Sequence, residues 1–497
     1  MSTNCIILSG LHSSDNDFSK TAGPYRIATE LRDAGYTTQV IDISFFYKFD
    51  QFFKLILKKF LSQETLWIGF SVNFLNNLIG IPWFNTAEER IAYRKKFPNY
   101  DDEMKKFMKF CRSINPNIKF ILGGVVIYDL SELGFIHFRG HTDAEIVKFT
   151  DSLKNNEDVK TPVIFNKEYK NFVNSQIKYT KSDIFSNEKV LPIEISRGCM
   201  FRCKFCNFPL NGKTKGEYIK DYSLLREEFN YNYANFGITH YLFSDDTFNE
   251  SMNKLNDLYN NVFSKLDFKI TFTTYIRLDL LYSFKEMAHV LKESGLVSAV
   301  CGVETIDPDI AKSIGKGLHP QKQIELMREL KQDLWKNIVT SSGWIIGFPT
   351  ETKKSIIDFS KWVISEDNPF NYNVVTPLNL RPPQLETLFL YRSEFDISYD
   401  TKGYEFFKDD MERLLWRLPN QDLDVLWCRE ISAEIDKYKL SRPNSRWGLF
   451  NYPKMHNLGI SEIDLQTKTP LQISKEYDID LLKKNYKINY IKGLMSL

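Results

Sequence analysis

The chain has 497 residues, 43% of them hydrophobic and 26% charged, which leaves room for two to four domains with cores of their own and is unlike a disordered composition. Its 65 basic and 63 acidic residues nearly cancel, which excludes the broad basic footprint that nucleic-acid binding or an anionic membrane surface needs. The seven cysteines do not form a disulfide framework, no basic-then-apolar leader opens the chain, and no apolar run reaches the roughly 18 residues of a membrane span, so a reducing, cytoplasmic setting is expected.

Residues 1–150 alternate short β-branched runs with amphipathic segments, the pattern of a doubly wound, Rossmann-like parallel sheet. Strands are expected at Cys5–Gly10, Thr38–Ile43, Leu66–Ser71, Ile118–Leu122 and Phe135–Phe138, with a helix over Tyr25–Ala34 that Gly35 ends. Met104, Phe107, Met108, Cys111 and Ile114 recur at helical spacing, so Cys111 is read as core. Ligands of such sheets bind beyond the carboxyl ends of the strands. The loops there are a long one from Gly10 to Gly23, the pair Gly123-Gly124, and Gly140-His-Thr-Asp-Ala-Glu145. Residues 151–189 are polar and read as a linker.

From 190 to 380 the alternation resumes with a longer stride, in six βα units, two short of a complete eight-stranded barrel. The strands are expected at Leu191–Ser196, Ile238–Ser244, Phe268–Thr274, Leu296–Cys301, Ile338–Ile346 and Tyr372–Thr376. The helices are expected at Ser223–Phe236, Ser251–Lys265, Ser283–Ser294, Pro320–Asp333 and Thr352–Glu366. The first strand empties into Arg197-Gly-Cys199-Met-Phe-Arg-Cys203-Lys-Phe205-Cys206, three cysteines spaced C-x3-C-x2-C. Three thiolates so close can hold three irons of a 4Fe-4S cluster and leave the fourth open. The same trio suits zinc if a fourth ligand joins it; the first candidates, His240 and His289, fall in or beside a strand and a helix. The later strands end in polar groups of their own: Ser244-Asp245-Asp246, Arg277, Gly302-Val-Glu304, and Gly343-Trp-Ile345-Ile-Gly347. Residues 381–497 read as a mostly helical cap, with helices at Asp409–Leu418, Asp422–Tyr438 and near Ser474–Gly493, in which Trp416 and Trp427 are packing residues.

The cysteine loop and the order of the elements behind it resemble the radical S-adenosylmethionine (SAM) enzymes, a resemblance that implies an open, partial (β/α)6 TIM-type barrel over residues 190–380. The resemblance implies that Cys199, Cys203 and Cys206 ligate a 4Fe-4S cluster, whose open iron binds SAM and whose electron releases a 5′-deoxyadenosyl radical. It further implies that Phe205 supports SAM at the cluster, that Ser244, Asp245 and Asp246 take the methionyl amine, and Arg277 its carboxylate. Gly302 and Glu304 would take the ribose, and Ile345 and Gly347 would lie along the adenine. The first 150 residues resemble the cobalamin-binding domain of one subgroup, with Gly123 and Gly124 at the cofactor. They depart from it where a cobalt-ligating histidine is usual: counting back from Gly23, the Asp and His of Asp-x-His-x-x-Gly are Phe18 and Lys20, and His12 lies too early in the loop. Either cobalamin binds without that ligand, or the domain keeps only the fold. The expected function is a cobalamin-dependent C-methyltransferase acting on an organic substrate with an external electron donor. The alternatives are radical rearrangement, cyclisation or dehydrogenation without methyl transfer, and a noncatalytic metal-binding protein.

Overall fold

A computed structural model describes residues 3–9, 19–42, 51–71, 100–124, 133–140, 142–143, 145–157, 159, 163–166, 172–184, 188–206, 218–383, 392–409, 414–448 and 451–497. Two six-stranded parallel sheets organise them.

The first sheet consists of β1 (Cys5–Ser9), β2 (Thr38–Asp42), β3 (Trp67–Ser71), β4 (Lys119–Gly123), β5 (Phe135–Gly140) and β6 (Val163–Asn166), in the order β2-β1-β3-β4-β5-β6. The chain reverses winding direction between β1 and β3, the switch point of a doubly wound sheet. All five residues of β1 are buried, as a central parallel strand covered on both faces requires. The two-residue period sorts them: Cys5 and Ile7 enter the large core shared with the barrel, while Ile6 and Leu8 enter a second core. Helices Gln51–Phe60 and Tyr100–Ile114 cover that second core, and Cys111 is buried in it, as its helical spacing predicted. The helix Ala22–Asp33 ends as expected, Gly35 taking φ +88° so that its N–H and that of Tyr36 cap the carbonyls of Arg32 and Leu31.

The region expected as a linker carries β6, which pairs with β5 as the sheet's sixth strand. Its polar composition hid a four-residue edge strand, too short to show a period. Farther on, Tyr179 is fully buried, and Asp183 takes both guanidinium nitrogens of Arg32 at 2.7 and 2.8 Å, so this segment is packed against the first sheet.

The second sheet runs β7 (Val190–Ile193), β8 (His240–Phe243), β9 (Thr271–Ile276), β10 (Leu296–Glu304), β11 (Val339–Ile346) and β12 (Tyr372–Pro377), each strand paired with its sequence neighbour. This is the expected open barrel. The helix expected over Ser283–Ser294 is present as Glu286–Glu293, and a short helix that was not expected, Leu278–Ser283, precedes it, ending at Phe284, whose backbone leaves the helical region.

The C-terminal region differs from expectation at more than one point: the helix expected near Ser474–Gly493 is divided at Tyr477 and Asp478 into Pro470–Glu476 and Ile479–Ser496, and a strand replaces part of another helix. Leu414–Leu418 is β14, not a helix, and it pairs antiparallel with β13 (Glu405–Lys408) and β15 (Leu423–Asp424). Leu414, Leu415 and Leu418 mimic helical spacing, but five residues cannot sustain a helix alone, and Phe406 opposite Trp416 with Arg417 bound to Glu405 favours the ladder. Trp416 is buried, as expected of a packing residue. Six helices make up the rest of what is described there, and the last, Ile479–Ser496, reaches back so that the Tyr490 hydroxyl accepts the Asp42 N–H at 2.6 Å. Among the described residues, no helix is long and apolar enough to cross a membrane.

Candidate active site

The carboxyl ends of β7 to β12 converge on the cysteine loop. Both ends of that loop are zipped together, Arg197 N–H to the Tyr218 carbonyl at 3.1 Å and Lys220 N–H to that of Ile195 at 2.9 Å. Gly198, at φ +78°, supplies the turn into Cys199 that a side chain would oppose. Farther along, the Cys206 N–H bonds the Cys203 carbonyl at 2.9 Å, the Lys204 N–H that of Ile314 at 3.0 Å, and the Phe395 N–H that of Lys204 at 3.2 Å. The loop is thus held from three sides before any ligand is considered. Cys199, Cys203 and Cys206 are all partly exposed free thiols, whereas Cys5, Cys111, Cys301 and Cys428 are buried.

Two polar groups from neighbouring strands stand against the thiols. The Thr247 hydroxyl lies 3.2 Å from Cys199 Sγ, and Arg277 Nη1 lies 3.4 Å from Cys203 Sγ. Arg277 is also held by Asp279 at 2.6 and 3.0 Å and by the ring of Phe201, 3.8 Å from the guanidinium carbon. Burial works against its charge, but Asp279 and the Cys203 sulfur more than offset this and raise its pKa; burial likewise opposes the Asp279 charge, yet Arg277 holds that carboxyl low. Phe205, between the last two cysteines, meets Phe348 edge to face at 6.5 Å.

At the end of β10, Glu304 takes φ +75°, a costly conformation for a residue with a Cβ. It is held there by Lys316, whose ammonium is 3.1 Å from the carboxylate and 2.9 Å from the Gly302 carbonyl. A Cβ on Gly302 would collide with the Glu304 carboxylate and stand 3.2 Å from Lys316 Nζ. After β11, Gly347 has φ +94° and is gripped on both sides: its N–H goes to Glu351 at 2.7 Å, and its carbonyl accepts the Tyr404 hydroxyl at 2.7 Å. Ile345 is half-buried in the same strand.

The polar residues after β8 divide. Ser244 is exposed and Asp246 half-buried, so both face the rim. Asp245 turns inward: it is fully buried and accepts from Ile195 N–H at 3.2 Å, the Ser196 hydroxyl, and Lys254 Nζ at 3.4 Å. Its carboxylate ties the root of the cysteine loop to helix Met252–Asn261. Of the zinc ligands considered for the loop, His240 is the first residue of β8 and so stands at the other end of that strand.

One contact joins this rim to the first sheet. Asp143, in the turn after β5, binds Arg26 at 3.2 Å and Arg197 at 2.9 Å, and Arg197 is bound in turn by Glu194 at 2.8 Å. The two arginines hold the Asp143 carboxyl low against the opposing effect of burial. Gly123 ends β4 at this sheet's carboxyl edge, where among the described residues no atom stands within 4 Å of the place a Cβ would take, and Gly124 has φ +112°. Lys20, at the expected histidine position, is buried and bound to Tyr25 and Asp42 at 3.0 Å each, with Glu188 at 3.5 Å. His12, Phe18, and residues 43–50, 72–99 and 125–132, which follow β2, β3 and β4, lie outside the described residues.

Thr247, Lys316, Asp143 and Arg381 escaped the sequence reading. Thr247 directly follows Ser244-Asp245-Asp246, Asp143 lies within the loop from Gly140 to Glu145, and Lys316 is flanked by Gly315 and Gly317, but residue type alone marks none of them. Burial pulls the Arg381 pKa down while the negative charges of Asp396 and Cys206 pull it up, and the second of these is distant in sequence, so no local signal exists for it.

Residues 193–363 match the family model of the radical SAM superfamily. An uncharacterized methyltransferase of Pyrococcus horikoshii is 30% identical over 176 residues, 33% of this chain and 35% of that protein, so the match spans about a third of the relative's length. The structure is similar to that of the radical SAM methyltransferase TsrM from Kitasatospora setae, solved with tryptophan substrate and a SAM analogue bound (TM-score 0.55, 14% identity, 82% of this chain and 79% of that one). It is also similar to the cobalamin-dependent radical SAM enzyme OxsB, solved with aqua-cobalamin and SAM bound (TM-score 0.53, 16% identity, 80% of this chain and 56% of that one). Residues 193–363 thus match the radical SAM superfamily model, and the fold of the larger part of the chain, a Rossmann-like parallel sheet followed by an open barrel, is similar to that of those two structures.

Proposed function

We propose that the chain is a cobalamin-dependent radical SAM methyltransferase that acts at an unactivated carbon of an organic substrate. The observation that carries this reading is the trio Cys199, Cys203 and Cys206 at the carboxyl rim of the barrel, with Thr247 against the first sulfur and Arg277 against the second. The donor set fits a 4Fe-4S cluster: three partly exposed thiols, and no fourth cysteine in the loop. The bound cluster, SAM and cobalamin together would supply a one-electron reductant, a radical source and a methyl carrier.

The protein's own part is positioning. Arg277 places positive charge beside the cysteine sulfurs and is kept in place by Asp279 and Phe201. Glu304, strained and oriented by Lys316, presents a carboxylate suited to vicinal hydroxyls, the ribose of SAM. Gly347, its N–H and carbonyl held by Glu351 and Tyr404, fixes the chain as it leaves β11, and the half-buried Ile345 before it would lie along the flat adenine ring. Ser244 and Asp246 are the acceptors for an amine; Asp245 is not. The open edge at Gly123-Gly124 fits a close-lying cofactor beyond the sheet. Lys20, held as an ammonium by Asp42 and Glu188 against the cost of burial, leaves that position no lone pair for cobalt.

Replacing Cys203 with Ala tests the core of the reading. In anaerobic, iron-reconstituted protein it should remove the cluster's absorption and abolish 5′-deoxyadenosine formation from SAM. Persistent 5′-deoxyadenosine formation would overturn the proposal.

A further inference from the structure

The end of the barrel opposite the cysteine loop carries ligand-type side chains of its own. His240 opens β8, His456 lies in helix Asn451–Asn457, and Glu462 begins helix Glu462–Thr467. One donor atom from each lies within 4.8 Å of the other two. The hydrogen bonds set the tautomers. His456 Nδ1 lies 2.9 Å from the Ile460 carbonyl, which can only accept, so Nδ1 carries the proton and Nε2 the lone pair. His240 Nδ1 lies 2.7 Å from the Thr271 hydroxyl, whose own proton goes to Glu462 Oε2 at 2.8 Å, so the hydroxyl oxygen accepts from the imidazole and the His240 proton sits on Nδ1. His240 Nδ1 also stands 3.4 Å from Glu462 Oε2, and Nε2 is then a buried lone pair with no hydrogen-bond partner among the described residues, on a side chain 1% exposed.

A buried acceptor left unpaired is costly, and native proteins fill such places with water or an ion. Two neutral imidazoles, each fixed by an oxygen acceptor behind it, and one carboxylate are the donor set of a three-ligand zinc centre with one position left for water. We propose that His240, His456 and Glu462 bind zinc and so clasp the C-terminal helices to the amino-terminal rim of the barrel. Bonds of about 2.0–2.2 Å would draw the donors together by roughly an ångström. Glu462, 31% exposed at its side chain, has the freedom to make that movement. The surroundings suit a structural ion. Tyr452 stacks on His240 at 5.6 Å, and Val297, Val339, Tyr452, Met455, Ile460 and Leu465 belong to one small core that closes this end of the barrel.

Zinc itself is the probe. The full chain with Cys199, Cys203 and Cys206 all replaced by Ala, so that the loop cannot compete, is dialysed against zinc and then against metal-free buffer, beside iron-loaded wild type. Both should keep about one zinc per chain by elemental mass spectrometry. H456Q and E462Q, each added to the triple variant, should weaken zinc binding about tenfold or more and abolish a zinc-dependent rise in melting temperature. E462Q retains an oxygen to accept from Thr271, so it controls for loss of folding. No retained zinc in either protein, or affinity unchanged by both substitutions, would overturn the proposal.

Discussion

Replacing Asp245 with Asn should loosen the barrel rather than remove a ligand contact. The carboxylate is fully buried and serves Ile195 N–H, the Ser196 hydroxyl and Lys254 Nζ, while Lys254 is itself 1% exposed. Breaking a buried ion pair costs about 3–5 kcal/mol because the remaining charge is stranded. Lys254 keeps Glu250 at 3.6 Å, and the amide oxygen can still accept one hydrogen bond, so the loss should fall near the lower end, about 3 kcal/mol. The assay is anaerobic urea unfolding followed by circular dichroism, reading the transition that carries the barrel, with Ser244→Ala as an exposed control expected to change stability by less than about 0.5 kcal/mol. Asp245→Asn with wild-type stability but weakened SAM binding would refute the inward reading and return Asp245 to the cofactor.

Gly347→Ala would place a Cβ 2.8 Å from Trp416 Cζ2 at φ +94°, so left-handed strain and overpacking together should cost about 2–5 kcal/mol; Trp416→Phe should recover part of that in thermal melts, and an unperturbed single variant would contradict the packing. Glu351 gives a pH signature. Burial pushes its pKa up to about 7 despite the N–H groups of Phe348 and Gly347, so the folded state binds the extra proton between the ordinary carboxylate range and pH 7. Stability attributable to this group is therefore full at low pH and declines as pH rises through about 7, and Glu351→Gln should gain on wild type over the same interval. A stability difference between the two that is flat from pH 5 to 8 would contradict this. Gly295→Ala would drive a Cβ into the Ile270 carbonyl, backbone that cannot step aside, and should cost about 3 kcal/mol or more in the same unfolding assay; a neutral result would mean that β9 and β10 can shift apart.

The parallel architecture was legible because buried parallel strands are nearly continuous apolar runs, such as Cys5-Ile-Ile-Leu, and because Gly35 and Gly295 mark helix ends. The cysteine spacing was legible because three ligands must lie close in sequence to share one loop. β6 and β14 were not: each is short, and each is a strand because of the neighbour it pairs with, which no local pattern records. The inward turn of Asp245 was hidden for the same reason, since its partner Lys254 lies nine residues away on a helix and only the fold shows which of two adjacent carboxylates meets it. Arg381 feels the charge of Cys206, far before it in the chain, and Asp143, in the turn after β5, binds Arg197 beside the cysteine loop. Such contacts are long-range by construction, so residue type and spacing carry no trace of them.

The most direct measurement is mass spectrometry of an anaerobic reaction containing iron-reconstituted protein, cobalamin, SAM and a strong reductant, quantifying 5′-deoxyadenosine and S-adenosylhomocysteine together. The account predicts both products, with S-adenosylhomocysteine dependent on added cobalamin and both lost in Cys203→Ala. 5′-Deoxyadenosine without cobalamin-dependent S-adenosylhomocysteine would contradict the methyl transfer, and neither product from fully iron-loaded protein would contradict the radical SAM activity itself.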